Sequence, residues 1–367
     1  MNILVTGAHG FIGKNLVEAL KQMKHSSEIL LCDKHTDEYQ LDKYCSETDF
    51  VFHLAGINRT ENTSDFAEVN VGFTEKLLTL LKKHQNKAPI LMSSSIQADL
   101  MNPYGISKRA AEELIKAYGK TENVKTYIYR LPNVFGKWCK PNYNSVVATF
   151  CHHIARNLPI RVSNPHQYLQ LVYIDDVISA FISKLNNQSM SSCNISPIYN
   201  VTLQEIAANL FSFKKSRNSF YLPEQSSGFT KKLYATYLSY LPEKEFAYPL
   251  IAHSDNRGSF CEVLKTDNNG QISVNFVKPG QTKGNHWHHT KTEKFLAVAG
   301  KGEIILRKIG TDDIITYELN CEKHEIIDIP PGYTHAVKNT GTIDFVTVIW
   351  ASEVYDASNP DTFYEEV

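Results

Sequence analysis

The sequence has no apolar run near the roughly 20 residues that a membrane-spanning helix needs. Its 38 Lys plus Arg stand against 39 Asp plus Glu, so neither sign of charge is in excess. These two absences argue against a membrane partner and against the basic footprint that nucleic acid requires. Cysteine is sparse and unpatterned: the 7 thiols at Cys32, Cys45, Cys139, Cys151, Cys193, Cys261 and Cys321 include no C-x-x-C pair. Their odd number and scatter point to reduced side chains, not to a disulfide framework or a zinc–thiolate site. Internal repeats and low-complexity tracts are also missing, which removes solenoid and tethered-linker architectures. The opening Ile3-Leu4-Val5 is too short for the apolar core of a signal peptide and leads straight into a glycine turn, so a cytoplasmic location is expected.

What is present falls into two patterns. At 367 residues the chain exceeds a comfortable single core, which makes two domains the expectation. Up to about Leu241, short β runs at 3–5, 29–31, 50–54, 90–92 and 126–130 alternate with helical periods at 13–21, 64–84 and 104–119. Such alternation means a parallel sheet covered on both faces. From Asp255 onward, strands at 259–265, 271–277, 294–299, 302–308, 314–319, 325–329, 335–338 and 344–350 follow one another across turns such as Asp267-Asn268-Asn269-Gly270. That is the pattern of an antiparallel barrel. The expected fold is therefore α/β plus all-β: a Rossmann-type doubly wound domain over 1–245 and a jelly-roll barrel over 246–367, with 242–253 as the linker.

The first domain opens with Gly7-x-x-Gly10-x-x-Gly13 between a strand and an amphipathic helix. Gly7 permits the tight turn, Gly10 lets the backbone approach a pyrophosphate, and Gly13 allows close helix packing, while the helix N-terminus attracts the anion. Phe11 and Ile12 belong to the same cradle. Cofactor choice falls to the end of the second strand, where Asp33 suits the ribose diol of NAD while Lys34 and His35 suit the 2′-phosphate of NADP.

Thr6-Gly7-x-x-Gly10-Phe11-x-Gly13, His53-Leu54-Ala55-Gly56, Asn70, Ser93-Ser94-Ser95, Tyr104-x-x-x-Lys108 and Arg130-Leu131-Pro132-Asn133-Val134-Phe135-Gly136 together resemble the extended short-chain dehydrogenases that act on nucleotide sugars. The resemblance implies that Leu54, Ala55, Gly56, Asn70 and Pro132 help to hold the dinucleotide. It further implies that Tyr104 exchanges a proton with the sugar oxygen, that Lys108 lowers the tyrosine pKa and binds the nicotinamide ribose, and that Ser95 hydrogen-bonds the same oxygen. A phenol beside an ammonium is a suitable acid for the alkoxide that hydride delivery creates, and residues four apart share a helix face. Only eight residues separate Ser95 from Tyr104, a shorter connection than most of the family has, so the substrate loop is expected to be missing or to have moved to 136–145 with Lys137, Trp138, Lys140 and Asn144. Asn133 is a further substrate contact on this reading. Ile96-Gln97 replace the acid–base pair of the sugar 4,6-dehydratases, which leaves reduction, oxidation or epimerisation at C4.

In the second domain, His286-Trp287-His288, Glu293 and His335 resemble the metal site of the cupins. Residues two apart on a strand face one side, so both imidazoles of the first motif can enter the barrel, with His289 pointing out. Three imidazoles and a carboxylate suit zinc, iron, manganese or nickel. Asp255-x-Arg257-Gly258-x-Phe260-x-Glu262 resembles the entry segment of the deoxysugar 3,5-epimerases, in which Arg257 would bind a diphosphate or a sugar hydroxyl.

A 4-keto nucleotide sugar makes both halves intelligible, because the C4 carbonyl acidifies C3 and reduction then ends the epimerisation. The whole chain, through Phe135–Ser145 and Gly284–Lys291 in particular, resembles the bifunctional capsular polysaccharide enzymes with cognates in O-antigen assembly. That resemblance implies a zinc-bearing cupin that epimerises C3 of UDP-2-acetamido-2,6-dideoxy-β-L-arabino-hexos-4-ulose and an NADPH-dependent reductase, with NADH as the alternative. The product would be UDP-2-acetamido-2,6-dideoxy-β-L-talose, on the way to UDP-N-acetyl-L-fucosamine, and the assembly a homodimer. Candidates for the C3 base are a histidine near the metal that does not serve as a ligand, Lys294 and Tyr333. Rival readings are a single-activity 4-reductase or 4-epimerase with a structural cupin, and a dinucleotide-sensing regulator without turnover.

Overall fold

The computed structural model describes residues 1–23, 28–185 and 193–367. It divides into two compact units, Met1–Phe211 with Gln225–Pro242, and Ser212–Glu224 with Glu243–Val367.

In the first unit Asn2–Thr6, Glu28–Cys32, Phe50–His53, Ile90–Ser95 and Thr126–Leu131 (β1–β5) form a parallel sheet ordered β2-β1-β3-β4-β5. Its strands are apolar on both faces. Leu4, Val51 and Ile90 join Leu77, Leu81 and Ile115 in one core, while Ile3, Val5, Phe52 and Leu91 join Leu16, Val177 and Phe181 in the other. Double burial is why these stretches read as continuous apolar runs and not as alternation. Chain order reverses beside β1, so a crevice opens outside the carboxyl ends of β1 and β3, where open α/β sheets bind ligands.

Four helices follow these strands: Phe11–Lys21, Glu38–Glu47, Phe73–Lys83 and Pro103–Glu122 (α1–α4). The segment expected as one helix over 64–84 has a π-helical stretch at Phe66–Gly72 leading into α3, and buried Asn70 sits in that stretch. Helix α2 is not legible as a period, because it buries only Leu41 and Cys45, too few for a helical pattern to show. The start of α4 is set locally: Asn102 accepts from the Gly105 N–H at 2.7 Å and Pro103 takes the first helical position. Tyr104 therefore sits in the first turn. A smaller sheet of Asn133–Phe135, Tyr168–Tyr173 and Tyr199–Thr202 (β6–β8) completes this unit's strands among the described residues.

In the second unit Ala252–Asp255, Gly258–Lys265, Gln271–Val277, Thr282–Trp287, Glu293–Ala299, Lys301–Lys308, Ile314–Asn320, Ile326–Ile329, Tyr333–Asn339, Phe345–Ala351 and Phe363–Tyr364 (β9–β19) form two antiparallel sheets. These are ordered β16-β13-β18-β11-β10-β9 and β15-β14-β17-β12-β19. Val277, Phe295 and Phe345 of one pack against Ile304, Leu306 and Val337 of the other, the two-sheet core of a cupin jelly roll. Strand β9 begins inside the stretch expected as linker. On β12 the ladder to β17 slips between Gly284 and His286, with Asn285 at φ 59°, a β-bulge that tilts the strand's register.

Candidate functional site

The glycine turn is built for close backbone approach. Gly7 has φ 68°, and a Cβ there would lie 2.8 Å from the Ala55 nitrogen; a Cβ on Gly13 would lie 2.1 Å from the Gly7 oxygen. Gly10 caps α1 without any side-chain hydrogen bond, so the first-turn N–H groups stay available to an anion. Phe11 and Ile12 pack half-buried against the core behind that turn. Across the crevice, Thr6 Oγ1 accepts from the Leu54 and Ala55 N–H groups, both at 3.2 Å. Asn70 accepts from the Ile57 N–H at 2.9 Å and donates to Ser107 Oγ at 3.0 Å, which fixes the Gly56 loop. His53 lies buried between Thr6 and Thr74, and burial pushes it down to about 3, so the ring is neutral. This cradle, which added Cβ atoms would fill, fits a dinucleotide diphosphate.

At the end of β2, Asp33 accepts from the His35 N–H at 2.7 Å and pairs with His9 Nδ1 at 2.6 Å. Those contacts, the His35 N–H foremost, hold its carboxyl below the usual range. Both carboxylate oxygens are thus engaged, while Lys34 and His35 are exposed.

Ser95 ends β4 and Tyr104 stands close to it despite the short connection, which the 3₁₀ turn Ile96–Asp99 spans. Burial raises the Tyr104 phenol and the Ser95 side chain opposes the rise. This differs from the expectation that Lys108 lowers it. Lys108 is only 6% exposed and donates instead to the Ser93 carbonyl at 2.8 Å, and burial brings its own pKa down to about 8. Beneath it, Glu112 accepts from Ser94 Oγ at 2.5 Å and from Arg130 at 2.6 Å. Glu112 supports the charge of Lys108, and sequence reasoning missed it, although Tyr104, Lys108 and Glu112 recur at four-residue spacing.

Pro132 is buried and Asn133 exposed, its Nδ2 donating to the Gln170 carbonyl at 3.2 Å. In the 136–145 loop Lys137 pairs with Asp175 at 2.6 Å, Lys140 lies over the Tyr143 ring, and Asn144 is exposed. Trp138, with Lys14 of α1 over its ring, sets the loop against the helix that follows the glycine turn.

In the barrel His286 on β12, His288 just past it, Glu293 at the start of β13 and His335 on β17 offer ligand atoms all within 4.8 Å of one another. Glu293 Oε2 lies 3.1 Å from His335 Nε2 and 3.5 Å from His288 Nε2. Despite that proximity, His288 Nε2 and Glu293 Oε2 make no directed hydrogen bond, and His335 Nδ1 has no partner either. Buried polar atoms without partners are rare and call for an explanation. Burial and the neighbouring imidazoles push His286 down to about 4, leaving it neutral with a lone pair to offer. Burial works against the Glu293 charge, but the His288 and His335 rings outweigh it and hold the carboxyl well below its usual range. Three imidazoles around one carboxylate fit a divalent metal. The Asp361 carbonyl accepts from His288 Nδ1, which aims Nε2 at the cluster, and the Asp361 carboxylate takes the His289, Thr290 and Lys291 N–H groups. Nothing in the sequence flagged Asp361, 72 residues away from its His289 partner.

The cluster opens into a cavity of about 780 Å³, also lined by Arg257, Lys265, Lys283 and Lys291. Arg257 pairs with Asp255 at 2.7 Å at that lining. Of the expected bases, Lys294 is exposed and bridges to Asp328, and Tyr333 packs against the apolar core; neither lines the cavity. His289 is exposed, against Trp287 and Phe363.

A dinucleotide-type sheet carrying Ser95, Tyr104 and Lys108, joined in one chain to a cupin with a buried His/Glu cluster, defines a dehydrogenase–cupin fusion. The profile of the NAD dependent epimerase/dehydratase family matches residues 3–201, and the polysaccharide biosynthesis C-terminal domain matches residues 253–363. The chain belongs to the NAD dependent epimerase/dehydratase family. It is 43% identical over 365 residues to the UDP-2-acetamido-2,6-beta-L-arabino-hexul-4-ose reductase of Pseudomonas aeruginosa, covering 99% of this chain and 98% of that one. It is also similar to the crystal structure of the capsular polysaccharide assembling protein CapF of Staphylococcus aureus, with a TM-score of 0.95, 46% identity and 100% of both chains covered. A UDP-glucuronic acid 4-epimerase of Bacillus cereus, at a TM-score of 0.56 and 20% identity over 65% of this chain and 98% of that one, shares the fold.

Proposed function

We propose that the chain makes a capsular or O-antigen sugar precursor in two steps, with 1–245 as the reductase and 246–367 as the epimerase. The barrel inverts C3 of UDP-2-acetamido-2,6-dideoxy-β-L-arabino-hexos-4-ulose; the dehydrogenase unit then reduces C4 with NADPH to give UDP-2-acetamido-2,6-dideoxy-β-L-talose. The observation that carries this reading is the pairing in one chain of an acid suited to a C4 alkoxide with a cavity whose buried cluster fits a metal beside a carbonyl. The name of the Pseudomonas aeruginosa relative supports the substrate.

For reduction, the raised pKa of Tyr104 keeps its phenol protonated, as a proton donor to the developing C4 alkoxide must be. Ser95 hydrogen-bonds the same oxygen, and Lys108 binds the nicotinamide ribose. The cradle of Gly7, Gly10, Gly13, Leu54, Ala55 and Gly56 holds the dinucleotide; Asn133, Lys137, Lys140 and Asn144 meet the sugar nucleotide. NADPH is favoured on the family resemblance, with His9 and His35 already occupying the Asp33 carboxylate that would otherwise hold the ribose diol of NAD, and exposed Lys34 and His35 beside it for a 2′-phosphate. For epimerisation, His286, His288, Glu293 and His335 would hold a divalent ion, zinc on the family resemblance, which when bound would supply positive charge to stabilise an enolate. Arg257 lies at the cavity for the diphosphate. A cytoplasmic homodimer completes the reading.

The test is incubation of the full-length protein with the keto-sugar nucleotide and NADPH, followed by NMR of the product. The talo configuration at C3 and C4 is expected. A product that keeps the substrate's C3 configuration refutes the two-step reading in favour of a plain 4-reductase.

A further inference from the structure

Among the described residues that line the barrel cavity, Lys283 and Lys291 are lysines held by neutral acceptors alone, and Lys283 has two of them. Strand periodicity alone would send Lys283 and His286, three residues apart, to opposite faces of β12. The bulge at Asn285 cancels that alternation, and both residues line the cavity. Bulges beside sites commonly serve to re-aim a side chain in this way.

Two of the other cavity cations pair with carboxylates, and Lys291 is held on a hydroxyl beside the cluster. Lys265 pairs with Glu262 at 2.6 Å, Arg257 pairs with Asp255, and Lys291 donates to Thr362 Oγ1 at 3.0 Å next to the cluster. Lys283 Nζ instead meets two neutral acceptors, the Ser259 carbonyl at 3.0 Å and Asn275 Oδ1 at 3.2 Å. A neutral primary amine has two N–H bonds and one lone pair. In its neutral form Lys283 can place both N–H bonds on those acceptors, which leaves the lone pair for the cavity it lines. Burial lowers the Lys283 pKa and Arg257 adds to this, while Asp255 and Cys261 oppose it.

We propose that Lys283 is the base that removes the C3 proton, an assignment that rests on reading the barrel as the epimerase. The C3–H bond breaks and its proton passes to Lys283 Nζ. The released electron pair forms the C3–C4 double bond, and the carbonyl π pair moves onto the C4 oxygen. Collapse of this enolate takes a proton from water on the opposite face of C3, and the hydroxide so formed takes the proton from Lys283, which restores the neutral amine and a water molecule. No net charge or oxidation state changes.

The test uses the full-length, zinc-loaded protein in D₂O without dinucleotide, so that reduction cannot intervene, and follows deuterium entering C3 of the keto-sugar nucleotide by NMR. Absence of exchange in the wild type refutes the epimerase reading itself. With wild-type exchange present, Lys283→Ala should slow it at least about 100-fold, the usual scale for a lost general base, and added ethylamine should restore it. Lys283→Arg, which keeps the charge and hydrogen bonds but does not give up its proton, should be as slow as Lys283→Ala. Bound zinc equal to wild type in both variants separates loss of the base from loss of the site. Wild-type exchange in Lys283→Arg, or a slow Lys283→Ala that ethylamine leaves unchanged, overturns the assignment.

Discussion

Replacing Lys108 with methionine should abolish reduction and at the same time stabilise the cofactor-free protein near neutral pH. Burial holds the ammonium at about 8 against an ordinary 10.5, so keeping it charged in the fold costs about 3 kcal/mol. Methionine fills a similar volume without that charge, and forfeits the hydrogen bond to the Ser93 carbonyl, a loss of about 1–2 kcal/mol. The expected net gain at pH 7 is about 1–2 kcal/mol. Its pH dependence follows from proton counting: between about 8 and 10.5 the unfolded wild type binds a proton that the folded one does not, so wild-type stability rises with pH across that window. The variant lacks this rise, and its advantage should disappear by about pH 10. Urea unfolding at several pH values checks this, using the transition that added NADPH shifts to identify the dinucleotide-binding unit. A variant less stable than wild type at pH 7, or a difference that does not shrink as pH rises, refutes the reasoning.

Gly13→Ala places a methyl 2.1 Å from the Gly7 carbonyl, a backbone atom that cannot step aside, so dinucleotide affinity measured by fluorescence titration should fall at least about tenfold and the melting temperature should drop. His9→Ala frees one oxygen of Asp33, and the ratio of NADPH to NADH turnover should shift severalfold toward NADH; an unchanged ratio dissociates His9 from cofactor choice. Glu293→Gln removes the carboxylate of the barrel cluster, and zinc affinity in a chelator competition should fall about 10–100-fold or more, with intact affinity showing that the ion is held elsewhere.

The Rossmann sheet and the barrel were both legible because each depends on local periodicity: doubly buried strands read as apolar runs, and jelly-roll strands follow one another at short spacing. Local rules also placed Tyr104, through the Asn102 cap and Pro103, and the spacing of His286 and His288. Elements with few buried residues escaped: α2 buries two side chains, and the short strands β9 and β19 have no room for a pattern.

The sequence by itself determined the chemical alphabet of each half: a glycine cradle with Ser95, Tyr104 and Lys108, and three imidazoles with a carboxylate, each carried on a motif short enough for strand or helix geometry to fix. Only the tertiary structure decided what those groups experience. It set Lys108 on the Ser93 carbonyl above Glu112, brought His9 onto Asp33, placed Asp361 behind His288, and through one bulge in β12 turned Lys283 toward the cavity instead of Lys294 or Tyr333. The physical reason is range: residue type and spacing govern conformation over a turn or a strand, whereas desolvation, hydrogen-bond direction and pKa are set by atoms that the fold brings together from distant parts of the chain.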